Sequence, residues 1–389
     1  MQIRVILDTN IFSGDRHRTS ESFKALTRLS AQGLIQIILP YIVKREWQTQ
    51  LVAQSREDFV NLLNAARDLV ARGVPEDLAP LLRDLIGQAE NRLEDVVAHA
   101  TVSYQNWIQQ NQVVEQELTL QLGANAMEAY FSGTPPFSAP KIRKHIPDSF
   151  LYQALAEQAI QYPVYFVSFD KELLNQCSKI GNLKPFENLN RLMADEAVQD
   201  LIAQQSGASS SIATDQELPS EMESQFDPIE TLRKLQFSPD ANTKITSYLV
   251  TDGAKMIAGT TFRSKSIPGD DKEAYVESFG ELEDVEVMWD EAAYLGDFTY
   301  VLEYKGTGTM LVSYYVHKGD TWALERRKVH YQDHNSHVWE IEEETSVTVY
   351  GYISVTIDQD YRTGDDIAPA IVEMDIDSIE RVILEEDDA

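Results

Sequence analysis

Near residue 205 the hydrophobic period of the chain changes, and that change sets what kinds of core it can build. Upstream, short apolar runs alternate with stretches whose apolar residues recur every three or four positions, the mark of strands and helices in turn. Downstream, β-branched and aromatic runs, many alternating with polar residues, are parted by Gly/Asp turns such as "KGD", the mark of an antiparallel sheet. Between them "AQQSGASSSIATDQELPSEMESQ" is Ser-rich and nearly free of aliphatics, which reads as a linker. The expected organisation is an α/β domain over residues 1–205 with a parallel sheet and a helical insert over about 55–131. A polar linker follows over 206–225, then an acidic, antiparallel β-rich domain over 226–389 of sandwich or barrel type.

Within the first part, "IRVIL", "LIQIILP" and "VYFVSF" read as buried strands. "SESFKALTRLSAQG", "YIVKREWQTQLVAQ", "DSFLYQALAEQAI", a stretch from Lys171 and "FENLNRLMADEAVQDLIAQQ" read as helices. Ser55 with Asp58 resembles a capping box, and Gly73 with Pro75 marks a stop and restart inside the insert. In the second part a short helix, "DPIETLRKLQF", precedes β-type runs at "TKITSYLV", "FTYVLEYK", "TMLVSYYVHKGDTWALERRKVHY", "SVTVYGYISVTID" and "AIVEMDI".

The formal net charge of −30 argues against a nucleic-acid partner until it is divided. Residues 1–200 hold 19 Lys+Arg against 24 Asp+Glu, leaving 14 against 39 for residues 201–389, so the acidity belongs to the second part. No apolar run reaches membrane-spanning length, and "MQIRVILDTN" lacks the apolar core and cleavage site of a secretory signal. With Cys177 as its single cysteine, no intramolecular disulfide can form. These features lead us to expect a cytoplasmic protein with no membrane partner.

Four acidic residues fall at element ends in the α/β part. Asp8 follows the first strand in "VILDTNIF", and Glu46 lies in the first turns of the helix after the second strand. Asp148 opens the "DSFLYQAL" helix, and Asp170 follows the third strand in "VSFD". In a parallel sheet all four converge on the carboxyl edge, where open α/β folds place their ligands. Clustered carboxylates repel unless a cation compensates, and an oxygen-rich set suits Mg²⁺ or Mn²⁺. Each acid also has a plainer reading, because Asp is a favoured residue at turns and helix N-caps.

The order of these motifs resembles the four-acid pattern of PIN-domain nucleases over about residues 1–200. The long insert between Glu46 and Asp148, with "GTPPF" at 133–137, is similar to a large bacterial PIN-like group. The resemblance implies a PIN-like parallel sheet and divalent-metal-dependent hydrolysis of RNA, less often DNA, leaving a 5′-phosphate. It makes Asp8, Glu46, Asp148 and Asp170 catalytic metal ligands, and Thr9, Asn10 and Ser168 the neighbours that orient them. Phosphates of the substrate need cations, and Lys141, Arg143, Lys144, Lys171, Arg16 and Arg18 lie close in sequence to the acids. Phe137 either stacks on a base or anchors its loop in the core.

The expected function is that of an endoribonuclease in a toxin-like, defence or RNA-turnover setting, the C-terminal domain regulating or sensing. A homo-oligomer or a regulatory protein partner is compatible with this. The competing expectation is a catalytically silent PIN-like scaffold whose β domain binds a protein. His330, His334 and His337 are spaced like zinc ligands but lack a cysteine companion, and Cys177 reads as a packing residue.

Overall fold

A computed structural model describes residues 2–75, 78–137, 139–209, 226–264, 266–268, 272–324, 329–361 and 366–384. The chain divides into two compact units, Met1–Thr19 with Phe23–Leu192, and Ser20–Ser22 with Met193–Ala389. The division falls upstream of the polar stretch. The helix over Glu196–Ser209 therefore counts with the second unit, where its Gln199 side chain donates to the Tyr294 carbonyl at 2.9 Å. Of the expected linker, residues 210–225 lie outside the described residues.

The first unit is an α/β layer structure on a five-stranded parallel sheet. In chain order it runs β1 (Ile3–Leu7), α1 (Thr9–Gly14), α2 (Glu21–Ala31), β2 (Ile35–Pro40), α3 (Tyr41–Arg72), α4 (Leu78–Glu90) and α5 (Leu93–Gln110). It continues with β3 (Val114–Gln116), α6 (Leu120–Ser132), α7 (Ile146–Ala159), β4 (Val164–Val167), α8 (Lys171–Cys177), β5 (Leu183–Phe186) and α9 (Leu189–Met193). Consecutive β1 residues Val5, Ile6 and Leu7 are all buried, as they must be where both faces of a sheet are covered. The strand order is β3-β2-β1-β4-β5, so the chain winds outward from β1 and then returns across it to β4. The β1/β4 boundary is thus the switch point at which α/β sheets open a ligand crevice.

The insert over about 55–131 is helical almost throughout, as expected; a strand in it forms where Gln112 (φ 52°) turns the chain and Val114–Gln116 pairs with β2 at the sheet edge. Ser55 caps nothing, since α3 is continuous from Tyr41 to Arg72 and interior amides are already bonded to the preceding turn. Finally, β5 was hidden in "LKPF"; an edge strand tolerates Pro185, which has no N–H to offer a further neighbour.

The second unit is an antiparallel sheet built on one long pair, β9 (Thr299–His317) with β11 (Val338–Ile357), in register from Thr299↔Thr356 to Val338↔His317. Before it come α10 (Glu196–Ser209), α11 (Pro228–Phe237), α12 (Pro239–Ile257), β6 (Thr261–Arg263), β7 (Glu273–Phe279) and β8 (Glu283–Gly296). β10 (Val329–Asp333) joins the long strands, and α13 (Ile367–Ala370) and β12 (Ile371–Leu384) end the unit. β8 and β7 pair with successive parts of β9, while β10 and β12 pair with successive parts of β11.

"TKITSYLV", expected as a strand, lies inside α12. Ser238 caps that helix and Pro239 occupies its first turn, while Ala241, Ile245, Leu249, Gly253 and Ile257 recur every four residues on its buried face. Its β-branched residues mattered less than that spacing. At Gly253 an added Cβ would come within 2.5 Å of Leu282 Cδ1, so the glycine sets how closely the helix approaches.

Candidate active site

β1 ends at Leu7, and the chain turns at once into the six-residue helix α1. Asp8 sits at that junction in extended conformation (φ −71°, ψ 159°), and its Oδ1 accepts from the Thr9 amide at 2.7 Å. The plain capping role and a site role therefore coincide in one residue. Its Oδ2 faces β4, where the Ser168 hydroxyl donates to it at 2.5 Å and the Asn10 Nδ2 at 2.8 Å.

Ser168 is fully buried one residue past β4, which pairs in parallel with β1. Its Oγ also accepts from the Asp170 amide at 3.0 Å and from Asn10 Nδ2 at 3.1 Å. Asn10 Oδ1 in turn accepts from the Phe169 amide at 3.2 Å. Asn10 and Ser168 thus bind the ends of the two central strands together across the switch point. Asp170 caps α8, its Oδ1 accepting from the Leu173 amide at 2.9 Å.

Glu46 lies in the second turn of α3, and its Oε2 accepts from the Thr9 hydroxyl at 2.9 Å. Asp148 is the third residue of α7, a helix that leads back into β4 and so begins at the strands' carboxyl edge. Its Oδ2 lies 2.7 Å from His145 Nδ1. Sequence reasoning passed over His145 as a partner of Asp148; the signal that could have found it is the three-residue spacing that brings it to Asp148 at the start of α7.

The electrostatics tie these groups together. Burial pushes the Asp8 carboxyl up to about 6 against the pull of the Ser168 and Thr9 hydrogen bonds, and the charges of Asp148 and Glu46 raise it further. Burial also raises the Glu46 carboxyl, countered by the Thr9 hydroxyl and reinforced by Asp148. Beneath them Cys177 is fully buried; desolvation and the charges of Asp8, Asp148 and Asp170 push its thiol up to about 12, so it stays protonated and packs.

Among the described residues, no three Asp, Glu, His or Cys side chains come close enough to hold one metal ion. The donor set is nonetheless that of a hard cation. Glu46 Oε1, Asp148 Oδ1 and Asp170 Oδ2 accept no hydrogen bond from the described residues, leaving oxygens for a ligand. Mg²⁺ in phosphate-processing sites commonly uses only one or two carboxylates and completes its shell with water and substrate oxygens. The residues present fit such an ion better than they fit a closed protein cage.

The cationic residues near the acids have varied surroundings. Arg16 lies 3.9 Å from Asp58 and Lys171 3.9 Å from Glu187, both exposed pairs. Arg18 lies over the rings of Trp47 and Trp107. Lys141 has a left-handed backbone (φ 63°), and its amide donates to the Tyr130 carbonyl at 2.8 Å. Arg143 starts a 3-10 turn that includes Lys144, whose side chain lies outside those described. Phe137 is buried against Tyr130 and Ala129, with Ile142 and Ile146 around them, so it anchors its loop and does not present a ring to a base.

The model of one family, the PIN domain, matches residues 5–172, a span that contains all four acids. No curated protein and no solved structure matches the chain. No helix among the described residues is long and apolar enough to cross a membrane.

Proposed function

Residues 5–172 belong to the PIN-domain family of nucleases, and from this premise we propose that the chain is a divalent-metal-dependent endonuclease that hydrolyses RNA in preference to DNA. The observation that carries this reading is Asp8. It is a half-buried, desolvated carboxylate at the switch point, hydrogen-bonded to Ser168 beside the neighbouring strand, with Glu46 and Asp148 near enough for their charges to raise its pKa. Like charges set close together with one desolvated do not serve stability, and such a group at a sheet's ligand edge points to a functional site.

In this proposal Asp8, Glu46, Asp148 and Asp170 hold Mg²⁺ or Mn²⁺. Bound there, the metal supplies water activation and charge neutralisation at phosphate oxygens. The chain's own residues do the rest. Thr9 orients Glu46, while Asn10 and Ser168 hold Asp8 in place and prevent its carboxylate from rotating away. Lys141, Arg143, Lys144, Lys171, Arg16 and Arg18 offset backbone phosphates, a role that fixes position without reading sequence. The β-rich part, 226–389, is assigned regulation or sensing through a protein or ligand partner, with the nuclease placed in residues 1–205 of a cytoplasmic, toxin-like or defence protein.

One observation favours the second reading, a silent scaffold: no three ligating side chains converge among the described residues. Incubation of the purified chain with end-labelled single-stranded RNA and DNA decides between them. The nuclease reading expects RNA fragments with 5′-phosphates in Mn²⁺ or Mg²⁺ and none in EDTA. Intact RNA and DNA under every metal condition would leave the scaffold.

A further inference from the structure

One residue past Glu46, Trp47 belongs to an aromatic cluster. Its ring stacks on Phe12 with centroids 4.0 Å apart and meets Trp107 of α5 edge-on at 5.5 Å. Arg18 lies over this pair, its Cζ 5.3 Å from the Trp47 centroid and 5.7 Å from that of Trp107. The turn that delivers it is locked: the Arg18 amide donates to the Asp15 carbonyl at 3.0 Å, and Asp15 Oδ1 accepts from the Thr19 amide at 2.9 Å.

Arg18 itself is held at φ 57°, a left-handed conformation that costs a non-glycine residue about 1 kcal/mol. The expense keeps a guanidinium half-buried against two indoles, where its only hydrogen bond to a described residue is a long one, 3.5 Å to the Arg16 carbonyl. Most of its five donors therefore remain unspent. Asp15 is the acidic neighbour whose charge reaches it.

Above Arg18 opens a cleft of about 370 Å³ whose lining includes His17, His99, Asn106, Trp107 and Gln110. Among the described residues no acidic one lines it, in a chain that carries 63 Asp+Glu. His99, Asn106 and Gln110 all come from α5, within the long insert, so the insert completes the cleft. The volume suits a nucleotide-sized ligand. The lining pairs the Arg18 guanidinium and two imidazoles that can donate to an anion with amides that offer a donor and an acceptor together, the combination that grips the edge of a base.

We propose that this cleft binds one nucleotide of a single-stranded substrate, its phosphate on Arg18, His17 and His99 and its base facing the Asn106 and Gln110 amides. The identity of the ligand rests on the nuclease reading; the Glu46–Trp47 step of α3 joins the cleft to the acidic edge. A strand lying across both would have one phosphate at the carboxylates and another anchored here, away from their repulsion. The insert thereby determines which strand conformations reach the acids.

The test uses the full-length chain in EDTA, so that no cleavage intervenes, and a dye-labelled single-stranded hexaribonucleotide read by fluorescence anisotropy. Arg18→Gln removes the guanidinium, and Asn106→Asp places a carboxylate in the cleft at an exposed helix position. Each is expected to weaken binding at least tenfold, with Arg18→Gln also flattening the dependence on salt. The thermal midpoint of Asn106→Asp is expected to stay at the parent value, which separates a binding loss from a folding loss. A folded Asn106→Asp protein that binds the oligonucleotide as the parent does would overturn the proposal, as would competition by poly-aspartate equal to that by unlabelled oligonucleotide. Cleavage in Mn²⁺ is scored apart: binding that follows these expectations in a chain that never cleaves would count against the nuclease reading alone.

Discussion

Asp8 in the first unit and the acidic row on β8 in the second present the same functional group in opposite settings. Asp8 is half-buried and desolvated, bonded to Ser168, Asn10 and the Thr9 amide, and its carboxyl is pushed up to about 6. Glu283, Asp284, Glu286 and Asp290 lie exposed along β8, where water solvates each one. Glu343, one of the second unit's buried acids, has a neutral partner: the Tyr314 hydroxyl donates to its Oε2 at 2.7 Å. Residues 1–200 carry a net of only −5 and residues 201–389 a net of −25, so the larger charge is not where the carboxylates are destabilised. Desolvation and a hydroxyl from the neighbouring strand set Asp8 apart, whereas an abundance of exposed acid keeps a sheet's edge charged and unattractive to other strands.

The largest expected effect lies in catalysis. Asp8→Asn keeps the shape but removes charge from the proposed metal site, and cleavage in Mn²⁺ should fall by about 10³-fold or more. Glu286→Gln on β8 should leave the rate within about twofold, since an exposed charge away from the reacting atoms is screened by solvent and salt. Equal losses in a gel-based cleavage assay would break the contrast between the two acidic regions.

Next come the packing differences. Trp47→Ala empties the ring that Phe12, Tyr104 and Trp107 pack against, and should cost about 3–5 kcal/mol in denaturant unfolding. In the second unit Gly351→Ala would bring a Cβ to 2.6 Å from the Ser378 carbonyl oxygen and 2.7 Å from Tyr304 Oη, at about 1–3 kcal/mol. A neutral Gly351→Ala would mean that β11 and β12 can part without loss.

The pH dependence is of similar or smaller size, and its sign follows from the direction of the shift. Folding raises the Asp8 carboxyl from the ordinary 3.8 to about 6, so the folded state binds the proton more tightly than the unfolded one. The resulting stability is fully present below about pH 4 and is lost as pH rises through 6, on the order of 2–3 kcal/mol in EDTA. Asp8→Asn should abolish that part of the slope. A parent and variant with parallel profiles between pH 4 and 7 would show that Asp8 is solvated after all. Smallest of all, neutralising the exposed Lys171–Glu187 pair should move stability by no more than about 0.5 kcal/mol.

Much of the site was legible in the sequence because its logic is local. An apolar run ending in Asp-Thr-Asn, and another ending in Ser-Phe-Asp, give both the strand ends and the polar atoms that join them. Elements whose stability comes from elsewhere were not. β3 and β5 are edge strands of three and four residues that exist because β2 and β4 offer them a ladder. α12 carries enough β-branched residues to mimic a strand, and only its four-residue spacing of buried positions, with the Ser238 cap, reveals the helix. The cleft over Arg18 was out of reach, since it needs residues about eighty positions apart to meet around two indoles.

The central claim is that Asp8 and the acidic residues around it bind a divalent cation. Its most direct test is the thermal midpoint of the full chain titrated with Mn²⁺, parent beside Asp8→Asn. Binding to the folded state alone stabilises it by mass action, about 2.7 kcal/mol at a hundredfold excess over Kd. The account predicts a saturable rise in the parent and little or none in Asp8→Asn, which in EDTA should start level with the parent or above it because repulsion is relieved. Rises of equal size in both proteins, or none in either, would contradict it.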